Sequence, residues 1–86
     1  MNERRTSIRQ MIQLNVVMYH DEIGQIMGRI RDISTGGMFV DILDKSVLRR
    51  KLSNELLIVQ PSNMDVLFNM QCVRVEENFI SLKFME

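Results

Sequence analysis

The chain has 86 residues with one cysteine, one proline, one histidine and no tryptophan, and it carries no net charge. Each scarcity excludes something. A lone thiol, Cys72, rules out an internal disulfide and a cysteine-based zinc site. The longest run of strong hydrophobes, Leu56-Leu57-Ile58-Val59, is far short of the ~20 residues a membrane-spanning helix needs. Eleven Lys and Arg balance eleven Asp and Glu, so wholesale attraction to a nucleic acid polymer or an anionic membrane is not favoured. With four Phe and one Tyr, the chain is poor in the aromatic platforms that single-stranded nucleic acid requires. The opening Met1-Asn2-Glu3-Arg4-Arg5 has no signal-peptide hydrophobic region. The expected setting is therefore cytoplasmic, in a protein of bacterial type.

What is present is the composition of an ordered domain, 45% hydrophobic and 26% charged. The length allows one domain, which buries about 60–65% of its extended surface in a single modest core. Period-two patterning dominates after residue 10. Ile12, Leu14, Val16 and Met18 alternate with Gln13, Asn15, Val17 and Tyr19, which predicts a strand with one face inward. His20-Asp21-Glu22 with Gly24 supplies a turn. A second strand spans 25–34, with Ile26, Gly28 and Ile30 on the apolar face and Arg29 and Arg31 on the other. Glycine on the apolar face permits close packing or a sharp bend. Ser34-Thr35-Gly36-Gly37 reverses the chain into a third strand, 38–43. Val47, Leu48 and Leu52, with Arg49, Arg50 and Lys51, suggest a short helical turn or basic loop. Leu56 to Gln60 reads as a short, wholly apolar strand closed by Pro61. In the fifth strand Val66, Phe68, Met70 and Cys72 share a face. The inward phase then shifts to Val73 and Val75, as at a bulge. Ile80, Leu82 and Phe84 form the last inward row. Six short strands with brief connections predict an all-β, six-stranded antiparallel barrel without a long C-terminal helix.

Residues 1–10 differ from the rest. Asn2 to Arg9 contains three arginines and one apolar side chain, Ile8, too little to bury itself. A flexible arm at 1–10 and a barrel at 11–86 is the expected division.

Catalysis has little to work with. His20 is expected to be exposed in its turn, and Cys72 is expected to be a small buried hydrophobe. No nucleophile–base pair, apolar-pocket carboxylate pair or metal-ligand cluster can be assembled. The chain reads as a non-enzyme with no metal and no cofactor.

Two constellations are sharper. The first is Arg5-Thr6-Ser7-Ile8-Arg9, an R-x-x-x-R preceded by Arg4. The second is Asp32-Ile33-Ser34-Thr35-Gly36-Gly37, a D-x-S-x-x-G. Guanidinium forks grip guanine O6 and N7 or phosphate oxygens, and stack on purines. A carboxylate at Asp32 suits the donor edge of guanine, N1–H and N2–H₂. Ser34 offers a hydroxyl, and Gly36 and Gly37 let backbone approach a ligand closely. By composition alone an R-x-x-x-R turns up in roughly one chain of this length in five, and a [D/N]-x-S-x-x-G in about one in thirty. Their joint occurrence, in this order and one β-hairpin apart, carries more weight. Separately, they read as a solvated basic arm and a tight turn.

This combination resembles the PilZ domain, the bacterial receptor module for cyclic di-GMP. The closing segment Phe79-Ile80-Ser81-Leu82-Lys83-Phe84 is also similar to the family's last strand. The resemblance implies a six-stranded antiparallel barrel, with Arg5 and Arg9 as the ligand-gripping arginines and Asp32, Ser34 and Gly37 as the second motif on the barrel surface. It implies that Arg4, ahead of the first motif arginine, favours an intercalated pair of ligand molecules. Many members continue into a helix that packs on the barrel. Here the sequence stops at Glu86, and the uncovered surface is expected to meet a downstream protein or a second copy. The competing readings are a PilZ-like module that binds only protein through a methionine-rich surface, and a small barrel that binds single-stranded nucleic acid.

Overall fold

Alternation of apolar and polar side chains becomes a closed antiparallel barrel in the computed structural model, which describes residues 10–44, 47 and 49–85. The strands are β1 (Gln10–His20), β2 (Gly24–Ile33), β3 (Gly37–Ile42), β4 (Leu56–Pro61), β5 (Phe68–Val75) and β6 (Phe79–Phe84). Around the barrel they run β1-β2-β3-β6-β5-β4, and β4 closes on β1. The closing ladder pairs Val16–Tyr19 of β1 with Ile58–Pro61 of β4. The expected helical turn is a single 3-10 turn, Arg49–Leu52. β1 begins at Gln10; apart from that residue, the arm expected at 1–10 lies outside the described residues.

Every strand contributes to the core: Val16 and Met18, Ile26 and Ile30, Met38 and Val40, Leu57 and Val59, Met70 and Cys72, Ile80 and Leu82 are all essentially inaccessible. Each such aliphatic side chain contributes about 1.5–3 kcal/mol by leaving water. Leu52 seals into the same cluster. Gly28 meets the close-packing expectation: a Cβ there would stand 2.8 Å from Val40 Cγ1 and 2.9 Å from Met18 Cε.

Some expectations need correction. β5 begins at Phe68, and Val66 is exposed in the preceding loop. The β5 bulge exists, with the register shifting between Cys72 and Arg74, but Val73 points outward and the inward phase resumes only at Val75. β4 is apolar on both faces, with Leu57 and Val59 inward but Leu56 and Ile58 outward. Met27, Met64 and Met85 are exposed, whereas Met18, Met38 and Met70 fill the core.

His20 also departs from expectation. It is the last residue of β1, not an exposed turn residue, and its side chain is only 6% accessible. Its Nδ1 accepts from the backbone N–H groups of Glu22 and Ile23, at 3.0 and 3.1 Å. Its Nε2 lies 2.8 Å from Glu55 Oε1. With Nδ1 occupied as an acceptor, Nε2 is the nitrogen that carries the proton and donates to Glu55. The imidazole thus ties the β1–β2 turn to the start of β4. Gly24 completes that turn at φ 90°, a conformation glycine adopts freely.

Candidate functional site

Strict alternation would send Asp32 inward with Ile26, Gly28 and Ile30. It does not, because β2 carries an extra residue relative to β3. Ile30 pairs with Val40 and Asp32 with Phe39, leaving Arg31 unmatched between them. A bulge of this kind reverses the facing of the residues beyond it. Ile33 therefore returns to the core side opposite buried Met38, and Arg31 and Asp32 both belong to the outer face. β1 accommodates the same point with its own irregularity, between Met11 and Leu14. Directly paired residues share a face, so one row runs Asp32, Phe39, Ser81, Arg74 across β2, β3, β6 and β5.

Asp32 is only 7% exposed. The next residues make a tight reversal, with Ser34 N–H donating to Gly37 O at 2.8 Å. Ser34 is half-buried and Gly36 is exposed. The two glycines differ. A Cβ at Gly36 would meet nothing within 4 Å, so this position opens onto free space. A Cβ at Gly37 would overlap the Leu82 carbonyl oxygen and stand 3.0 Å from Lys83 Cα. Gly37 is thus required by the close approach of β3 to β6, independently of any ligand. Gly36 O also accepts from Phe84 N–H at 3.1 Å, tying the turn to the end of β6.

Asp32, Ser34, Gly36 and Gly37 are therefore brought together at one end of the barrel. Arg4, Arg5 and Arg9 lie outside the described residues. Their chain nevertheless enters β1 at Gln10, which pairs with Ile33, while Met11 pairs with Asp32. The arginine segment is thus joined to the strand that lies directly against the second motif.

Sequence reasoning missed a second feature of this face. Arg31 Nη2 donates to Asp41 Oδ1 at 2.6 Å, and its guanidinium carbon sits 4.5 Å from the centre of the Phe79 ring. Phe79 in turn packs on Phe39, with ring centres 5.2 Å apart. The phase of Arg31 alone marks it as outward, but the Phe79 ring it sits on comes from β6 and leaves no local signal.

A model of the PilZ domain family matches residues 3–86, nearly the whole chain. The chain belongs to the PilZ domain family. No curated protein matches it. PilZ domains are generally cyclic di-GMP binding modules rather than enzymes, and the match spans both motifs. Among the described residues no group of three or more His, Cys, Asp and Glu could hold a metal ion, and no helix is long and apolar enough to cross a membrane. Burial pushes the Cys72 thiol pKa up. Its Sγ faces Arg74 O at 3.6 Å, as expected of a small core residue rather than a nucleophile.

Proposed function

We propose that this PilZ domain is a non-enzymatic cytoplasmic receptor for cyclic di-GMP, which it grips with Arg4, Arg5 and Arg9 from one side and with Asp32, Ser34, Gly36 and Gly37 from the other. The observation that carries the reading is the pairing of Gln10 with Ile33. Arg9 is one peptide from that pair. Arg5 is five residues from Gln10, within about 18 Å of it along an extended chain. Both guanidinium groups can reach a ligand held at the β2–β3 turn. The ligand's two phosphates call for cations and its two guanines for edge-reading acceptors, and the two motifs supply both.

The mechanism is an ordering switch. The arm is loose without ligand and closes over it when bound. Fixing six residues costs about 6–12 kcal/mol. Several charge-assisted hydrogen bonds at ~1.5–3 kcal/mol each, together with base stacking, offset this and leave micromolar affinity near −8 kcal/mol. The ordered arm then presents a new surface to a downstream protein. The protein-only reading draws its support from the outer faces of β2 and β4, where Met27, Leu56 and Ile58 are 46%, 62% and 39% exposed. On the receptor reading, these side chains belong to the surface that a partner protein or a second copy covers.

Calorimetric titration with cyclic di-GMP, with GTP and GMP as controls, tests the reading. Saturable binding of cyclic di-GMP alone is the expected result. No heat with any of the three selects the protein-only reading. Asp32→Ala, titrated with cyclic di-GMP and cyclic di-AMP, should bind more weakly and discriminate less between them, because adenine has no donor at N1. Equal discrimination before and after the substitution would confine Asp32 to a structural role.

A further inference from the structure

We propose that Arg31, seated on Phe79 and held by Asp41, is a stacking platform for a purine base of the ligand, an inference that rests on the receptor reading. Arg31 belongs to neither motif. It is the residue that the β2 bulge leaves unmatched, and it stands next to Asp32 on the same outer face. Its guanidinium carbon lies over the Phe79 ring, 4.5 Å from the ring centre, so the cation is seated on an aromatic surface. The 2.6 Å hydrogen bond to Asp41 fixes its orientation, and Phe39 buttresses the ring beneath at 5.2 Å.

Such construction does little for the fold. The Arg31 and Asp41 side chains are 38% and 31% accessible, and exposed ion pairs contribute little to stability. What it does provide is a planar cation that is already ordered and retains solvent-accessible surface. Arginine planes stack on aromatic systems from either face. A base laid on Arg31 completes a sandwich of purine, guanidinium and Phe79, beside the carboxylate that reads the guanine edge. Asp41 prevents the cation from swinging away, so the entropy of ordering it has already been spent before the ligand arrives.

The test uses the whole chain and cyclic di-GMP. Arg31→Lys keeps the charge but removes the plane, and Phe79→Leu keeps an apolar seat but removes the ring. Each should weaken binding at least about fivefold, the low end for one base stack, while thermal unfolding of Arg31→Lys stays at the wild-type temperature. In the wild type, the Arg31 Nε–H resonance should move upfield on saturation, under the ring current of the stacked purine. Wild-type affinity in both variants, or an Nε–H resonance that does not move, overturns the platform and leaves the receptor standing. A wild-type protein that gives no heat with cyclic di-GMP overturns both.

Discussion

Gly37→Ala separates the two glycines of the second motif and tests the geometry of the barrel wall. The new methyl would overlap the Leu82 carbonyl oxygen and sit 3.0 Å from the Leu82 carbonyl carbon and Lys83 Cα. All three obstacles are backbone, so no side-chain rotation relieves them. β3 must move away from β6 at the Gly37–Lys83 pair, which lengthens ladder hydrogen bonds within a closed barrel. Overpacking of this kind costs typically 1–3 kcal/mol, occasionally more, and the rigidity of the neighbours places Gly37→Ala at about 3 kcal/mol. For a domain of 60–100 residues each kcal/mol lowers Tm by roughly 4–8 °C, which gives a drop of about 12–24 °C. Circular dichroism melts and urea midpoints read it directly. Gly36→Ala is the control: with nothing within 4 Å, its stability should stay within about 0.5 kcal/mol of wild type, while its affinity for cyclic di-GMP falls. A Gly37→Ala protein that melts within about 2–3 °C of wild type, equivalent to roughly 0.5 kcal/mol, would refute the close approach of β3 and β6.

Two further predictions concern the core and the β1–β2 turn. His20→Ala removes the acceptor for two backbone N–H groups and the donor to Glu55, and should cost about 1–3 kcal/mol in urea unfolding; a loss under about 0.5 kcal/mol would mean that the imidazole does not hold the turn. Cys72 has a folded-state pKa raised by burial, so the unfolded thiol ionises first as pH rises. Stability relative to Cys72→Ala should therefore be constant below about pH 8.5, the unperturbed thiol value, and decline above it. A difference between the two proteins that stays flat to about pH 10 would contradict that burial.

The strand count and connections are legible because alternation is a local signal, and β3, β6 and the part of β1 from Leu14 to His20 follow it closely. The β2 bulge is less visible. Asp32 continues the series Ile26, Gly28, Ile30 at period two, and only the return of Ile33 to the core reveals the extra residue. The same device in β5 is signalled by Val73 and Val75, but both Val73 and Arg74 turn outward. A uniformly apolar run such as Leu56-Leu57-Ile58-Val59 cannot show which side chains are buried, because its alternation exists only in three dimensions. His20 misleads for a related reason: its partner Glu55 lies 35 residues away, and local polarity suggests an open turn. Asp32, Ser34, Gly36 and Gly37 stand out by motif, yet only the packing against Leu82 distinguishes the structural glycine from the open one. Arg31 reads as an outward residue from its phase alone, while the Phe79 ring beneath it comes from the far end of the chain.

The measurement closest to the central claim is calorimetry of cyclic di-GMP against wild type, Arg5→Ala and Arg9→Ala, with thermal melts of all three. The account predicts saturable wild-type binding, at least about a tenfold loss in each variant from the removal of a charge-assisted contact, and melts that barely change. Wild-type affinity in either variant would contradict the role assigned to that arginine, and a wild-type protein that binds no cyclic di-GMP would contradict the receptor reading itself.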